Sequence, residues 1–196
     1  MNEERNQNRN QIIRIDAKNC FVESLNDSFE IGRIHFNFAS YDLTKPAGSR
    51  QTNCINIYIP VEEFLETSGY IRLYYCRGEL EYRKNENNTK AVRQWLGGTS
   101  AEKLLRLGKP RADGKSLSRI AQISWGNKSA VLFSAASGPG ETDEKGLIRP
   151  AFGNRPENYV MIPMTYESLV QLFAVTEAHY TAWLAAKYMK EGADNA

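Results

Sequence analysis

Two stretches of this chain repeat one pattern, and they decide the expected fold. Residues 55–65 read INIYIPVEEFL, and residues 158–169 read NYVMIPMTYESL. In each stretch, alternating apolar residues typical of a half-buried strand lead into Ile-Pro and then into a segment of helical character. Each stretch therefore predicts a strand followed directly by a helix, so we expect the chain to contain two copies of one unit.

The alternation also predicts which side chains point into the core. Ile57 and Ile59 are expected to face inward with Tyr58 outward. In the second copy Val160 and Ile162 take the inward positions, and Tyr159 and Met161 the outward ones, because neighbouring side chains of a strand point to opposite faces. Further strands are predicted upstream of both copies, over residues 12–16, 20–25, 31–40, 116–125 and 128–137. The last two are joined by Gly126-Asn127, a tight hairpin signal.

Helices are expected at three places. We predict one over residues 61–77, although the β-branched and aromatic residues at 70–76 are also typical of a strand, so that alternative stays open. Ser100 is an N-cap candidate for a short helix over residues 100–107. Thr165 is the N-cap candidate for a closing helix over residues 166–189, whose apolar residues share one broad face. The Gly-Pro-Gly-Glu run at residues 138–141 is read as a turn.

Length and composition favour a single domain. The 196 residues are 41% hydrophobic and 24% charged, which is ordinary for a globular protein. We expect a disordered, Asn-rich arm over residues 1–11. Residues 12–190 would then form one domain of two pseudo-repeats, 12–83 and 116–190, joined by an irregular basic loop over 84–115. No signal peptide or apolar run of membrane-spanning length is seen, and the three cysteines have no metal-type spacing, so we predict no membrane partner and a cytoplasmic location.

Motifs for catalysis are missing from the sequence. The two histidines, His35 and His179, have no Cys, Asp or His at metal-ligand spacing, and no nucleophile elbow or phosphate-binding loop is found. We therefore predict a protein that is not an enzyme, with no catalytic residues, no metal site and no cofactor.

Positive charge is concentrated in one part of the chain. Residues 90–128 contain nine basic and two acidic residues, although the whole chain has a net charge of only +2. Aromatic residues Trp95, Trp125 and Phe133 lie within or close to this stretch. Cations that follow a phosphate backbone and rings that stack on unpaired bases are the combination found in single-stranded nucleic-acid binders. The alternatives are a solvated basic loop and, for Trp125, a place in the core, because it shares a strand face with Ala121 and Ile123.

The pattern of strands, Ile-Pro and helix, repeated twice, resembles the Whirly single-stranded DNA-binding proteins, which are related in fold to the coactivator positive cofactor four. The best match is residues 115–188, with YVMIPMT at residues 159–165 before the long helix. Gly108-Lys109 and Gly114-Lys115-Ser116 are similar to a Lys-Gly-Lys element of that family. The resemblance implies an α+β fold of two antiparallel four-stranded sheets packed roughly orthogonally, with a long C-terminal helix. Segment 84–115 is longer than the corresponding family connection.

The resemblance also implies function. We expect a largely sequence-independent single-stranded DNA-binding protein that self-associates through its helices into a dimer or tetramer, acting on a bacterial chromosome, phage or mobile element. The expected DNA-binding residues are Tyr58, Lys109, Arg111, Lys115, Arg119, Trp125, Lys128, Phe133 and Tyr159. Two alternatives remain: RNA binding on the same surface, and a protein–protein adaptor whose basic stretch docks an acidic partner.

Overall fold

The computed structural model describes residues 10–194, so the predicted arm lies outside the described residues up to residue 9, and Gln11 already belongs to a strand. The first sheet is an antiparallel meander of four strands in sequence order. Its strands are β1 (Gln11–Ala17), β2 (Cys20–Leu25), β3 (Arg33–Tyr41) and β4 (Gln51–Pro60). A short 3-10 turn, Phe29–Ile31, precedes β3.

The second sheet is also antiparallel but has five strands rather than the four expected. They are β5 (Arg93–Thr99), β6 (Ser116–Trp125), β7 (Val131–Thr142), β8 (Ile148–Pro150) and β9 (Asn158–Met164). The order runs β5, β6, β7. The edge of β7 that faces away from β6 pairs with two strands: β9 pairs with residues 131–137, and β8 pairs with residues 140–142.

Four helices complete the described chain: α1 (Val61–Arg72), α2 (Tyr75–Asn85), α3 (Ala101–Arg106) and α4 (Tyr166–Asp194). Both Ile-Pro stretches run from a strand into a helix as predicted. Both predicted N-caps are confirmed, because Ser100 Oγ accepts from the Lys103 N–H at 3.2 Å and Thr165 Oγ1 accepts from the Ser168 N–H at 3.1 Å. Within residues 10–194, no helix combines the length and apolar content that crossing a membrane requires.

The core lies between the two sheets and the first half of α4. Phe36 and Phe38 of β3 pack edge-on against Phe133 of β7, with ring centroids 5.7 and 4.7 Å apart. Phe64 of α1 stacks on Phe173 of α4 at 5.2 Å. All five rings are fully buried. Burying each one stabilises the fold by about 1.5–3 kcal/mol, so elements from the first and second halves of the chain are held together by one aromatic cluster.

Two predictions for the middle of the chain need correction. The helix expected over residues 61–77 is confirmed for most of its length but is broken: α1 ends at Arg72, and Tyr74 takes a left-handed backbone conformation (φ 63°) before α2 begins. Residues 70–72 and 75–76 are helical and residues 73–74 form a turn, which excludes the strand alternative for residues 70–76. Segment 84–115 is not a loop, since it supplies edge strand β5 as well as the expected α3; the Gly97-Gly98 pair hid the alternation of that strand.

The Gly-Pro-Gly-Glu run is not a turn either, since residues 138–141 lie inside β7. Its glycines are required by close approach of other side chains. A Cβ on Gly140 would lie 2.7 Å from Ile148 Cγ2, and a Cβ on Gly138 would lie 2.8 Å from the Phe152 ring. Strand β7 can therefore pass beneath Ile148 and Phe152 only because its residues 138 and 140 have no side chain.

Candidate nucleic-acid interface

The outer face of the second sheet is made of uncharged residues. The strand register places Leu96, Ile120, Ala136 and Tyr159 in one row across β5, β6, β7 and β9. The next row holds Gln94, Gln122, Ser134 and Met161, and a third holds Ser124, Leu132 and Pro163. We call these three rows the open face. A contiguous uncharged surface is unusual in a chain of which 24% of residues are charged.

Part of the open face forms a concavity of about 650 Å³. Its floor comes from Ile120 and Gln122 of β6 and their neighbours on β7, and the loop before β9 adds Phe152 and Arg155. Tyr159 lines it with 52% of its surface exposed. None of the lining residues carries a carboxylate. An aromatic ring, an apolar floor, amide groups and one guanidinium are suited to unpaired bases and their phosphates.

The outer face of the first sheet is different, because its polar groups are bonded to each other. Asn37 Nδ2 donates to the buried carboxylate of Glu23 at 2.9 Å. Buried His35 places Nδ1 2.8 Å from Asp27 Oδ1 and Nε2 2.9 Å from Asn56 Oδ1. Carboxylates on this face disfavour a polyanion, so this surface is a poor candidate for an extended strand of nucleic acid.

Tyr58 and Arg119, two of the predicted site residues, meet in a groove of about 400 Å³ between the sheets. Tyr58 is 46% exposed, and its ring stacks on His35 with centroids 4.4 Å apart. Arg119 is partly buried and donates from Nη1 to Thr99 Oγ1 at 3.0 Å. Burial lowers the pKa of the guanidinium, while nearby Tyr58 acts in the opposite direction. The pKa of Tyr58 is raised, first by burial and then by Asp27, against the effect of Arg119.

Two cations of the predicted basic loop are neutralised inside the protein. Arg111 forms ion pairs with Glu157 at 2.7 Å and Asp113 at 2.8 Å. Hydrogen bonds to these carboxylates, Glu157 first, raise the pKa of Arg111 above its usual range. Lys115 pairs with Glu141 at 2.8 Å. The ion pairs of both side chains therefore fix the loop in place. Lys109, in contrast, is exposed and has no ion pair with any residue of segment 10–194.

The remaining predicted residues are distributed over the molecule. Trp125 and Lys128 line a third groove, of about 630 Å³, between α2 and the β6–β7 hairpin. The Trp125 indole donates from Nε1 to the Asn88 carbonyl at 2.6 Å, so it anchors the chain after α2. Phe133 is fully buried in the aromatic core, which corrects the expectation that its ring meets a base. Trp95 is also buried, because it lies on the inner face of β5.

Sequence reasoning missed Gln94, Gln122, Phe152 and Arg155. Gln122 could have been found from the alternation of the predicted strand 116–125, which places it opposite Ala121 and Ile123. Phe152 and Arg155 lie in a loop whose position depends on tertiary contacts, so no local signal identifies them.

Comparison with known proteins gives no relative: no protein-family model, no curated protein and no solved structure matches the chain. Across residues 10–194 no three His, Cys, Asp or Glu side chains are grouped in a way that could hold a metal ion. Function is therefore inferred from the surface alone.

Proposed function

We propose that this chain binds single-stranded nucleic acid, DNA in the first place, without catalysis and with little sequence preference. The observation that carries the proposal is the uncharged open face, where exposed Tyr159 is available to stack on bases and half-buried Phe152 lies beside it. Stacking is tolerant of sequence because every base has a π-face, and each stacked base contributes about 1–3 kcal/mol. Arg155 beside this face and exposed Lys109 are available for phosphates.

The arrangement of elements supports the proposed relation to the Whirly family. Four strands, a helical segment, further strands and a long helix follow each other along the chain, with β5 and β8 as departures from an exact repeat. Roughly orthogonal sheets and self-association through α4 belong to this proposal. The second half of α4 is mostly exposed, with Tyr188 and Met189 among its exposed apolar residues, which supports a helix-mediated contact.

The adaptor alternative has less support. It requires Lys109, Arg111 and Lys115 to attract an acidic protein, but Arg111 and Lys115 already contact carboxylates of their own chain. RNA binding uses the same chemistry as DNA binding, and competition between oligo-dT and oligo-U separates the two.

The direct test is fluorescence anisotropy of labelled oligo-dT over a salt series. Binding should weaken with salt, with a slope of about 0.7 per phosphate neutralised. Tyr159→Ala should reduce affinity about tenfold or more. Tyr82→Ala is the matched control, because Tyr82 is similarly exposed but lies on α2. Absence of binding to any single strand at low salt, or equal effects of the two substitutions, would contradict the proposal.

A further inference from the structure

The groove between the sheets adjoins the open face. Its lining includes Leu96, the residue that ends the row beginning at Tyr159. From Leu96 the groove continues along edge strand β5 to Tyr58 of β4. A single strand of nucleic acid that lies along the row from Tyr159 to Leu96 would therefore reach the groove at the Leu96 end. A volume of about 400 Å³ is within the range of small-ligand pockets.

Tyr58 is held as a rigid platform. His35 covers one face of the ring, and His35 is itself fixed by Asp27 on one side and Asn56 on the other. Because one face is covered while almost half of the side chain is exposed, the opposite face and the ring edge are available to a ligand. A fixed aromatic ring loses little conformational entropy when a second ring stacks on it.

Arg119 supplies a cation without a counter-charge. Its neutral partner is the Thr99 hydroxyl, and no carboxylate of the described chain forms an ion pair with it. Arg33 and Glu63 also line the groove, and their opposite charges add up to zero. A partly buried guanidinium is costly unless it is paired, and its forked donors match phosphate oxygens. The missing counter-charge therefore indicates an anionic ligand.

We propose that the inter-sheet groove binds one nucleoside phosphate, with the base on the free face of Tyr58 and the phosphate on Arg119. The inference rests on the proposed function for the class of ligand, but it concerns a different surface. The same chemistry is offered by a free mononucleotide and by the phosphorylated end of a strand that lies on the open face.

The experiment is calorimetric titration of the protein with thymidine 5′-monophosphate, thymidine and inorganic phosphate. The monophosphate should bind more tightly than either fragment. Arg119→Gln should reduce its affinity about tenfold to one hundredfold, because a charge-assisted hydrogen bond is lost. Arg119→Lys should retain part of the affinity, and Tyr58→Ala should reduce the monophosphate to the level of phosphate alone. Comparing oligo-dT with and without a 5′-phosphate distinguishes the strand end from the free nucleotide.

Two controls separate this groove from the open face. Tyr159→Ala should weaken oligo-dT binding but leave monophosphate binding unchanged. If oligo-dT fails to bind while the monophosphate binds through Arg119, the proposed function falls and the groove stands. The groove inference is overturned if the monophosphate does not bind, if thymidine binds equally well, or if Arg119→Gln has no effect.

Thermal unfolding of Arg119→Gln shows whether this variant is still folded. Removing an unpaired, partly buried charge should leave the melting temperature of Arg119→Gln unchanged or raise it. If Arg119→Gln nevertheless unfolds, the affinity test passes to Arg119→Lys, which keeps the charge but loses the forked donors and should therefore weaken the monophosphate but not thymidine. An unchanged monophosphate affinity in that variant would then overturn the inference.

Discussion

The outer faces of the two sheets use their polar residues in opposite ways. On the first sheet, Glu23, His35 and Asn37 are bonded to neighbouring side chains, and two carboxylates lie among them. On the second sheet, Gln94 and Gln122 form a single long contact at 3.3 Å, and the face carries no charge. The polar groups of the first face are bonded to each other, while the second face keeps amide groups and the ring of Tyr159 available. The outer face of the first sheet is thus a stabilising surface, and the outer face of the second is a candidate binding surface.

The largest effect should come from breaking the network on the first sheet. Asn37→Ala removes the amide that donates to buried Glu23, and losing a hydrogen bond to a buried carboxylate costs about 1.5–3 kcal/mol. Gln122→Ala on the open face should cost less than about 0.5 kcal/mol. Urea denaturation of both variants measures the difference. Equal losses would show that the two faces do not differ in the way described.

A charge on the open face should have the next largest effect. Gln122→Glu is nearly isosteric but places a carboxylate where the phosphate-bearing strand is proposed to lie, so affinity for oligo-dT should fall about tenfold, or ~1.4 kcal/mol. Thr52→Glu is the matched control, since Thr52 is exposed on β4 of the first sheet. Anisotropy at constant salt measures both variants. A larger loss for Thr52→Glu would move the proposed binding surface to the first sheet.

The sequence could predict the elements that follow local rules. Strand alternation at residues 55–59 and 158–162, both N-caps and the closing helix depend on neighbours in the chain, so they were predicted correctly. The break at Tyr74 and the strand conformation of residues 138–141 depend on packing against distant residues such as Tyr166, Ile148 and Phe152. Local signals could not reveal these contacts.

The same limit applies to the candidate site. Tyr58 and Tyr159 were placed outward by period-two alternation, and both are exposed. Phe133 was misassigned because its face of β7 becomes the core only when the two sheets come together. The pairing of Arg111 with Glu157 joins positions far apart in the chain, so a count of basic residues overstated the free positive charge.

The smallest effect concerns the ion pairs that fix the wall of the open face. Arg111 holds Glu157, which lies in the same loop as Phe152 and Arg155, so Arg111→Gln should loosen that loop and weaken oligo-dT binding about twofold to threefold. Hydrogen bonds from Arg111 lower the pKa of Glu157 and of Asp113. Lowered carboxyl pKa values stabilise the fold above the ordinary values of 4.5 and 3.8, and this contribution is lost as pH falls through the lowered ones.

The wild-type melting temperature should therefore decline slightly more than that of Arg111→Gln between neutral pH and the acidic side of these values. Lys18→Gln is a matched control, because Lys18 is an exposed cation in the β1–β2 turn. It should leave both oligo-dT affinity and the acid-dependent difference unchanged. The exposed setting of the carboxylates keeps the expected shift small, because solvent screens the pairs. If the melting temperatures of wild type and Arg111→Gln fall equally with pH, the Arg111 ion pairs contribute nothing to stability. If the oligo-dT affinity is unchanged, the loop is fixed by the packing of Phe152 on Gly138 alone.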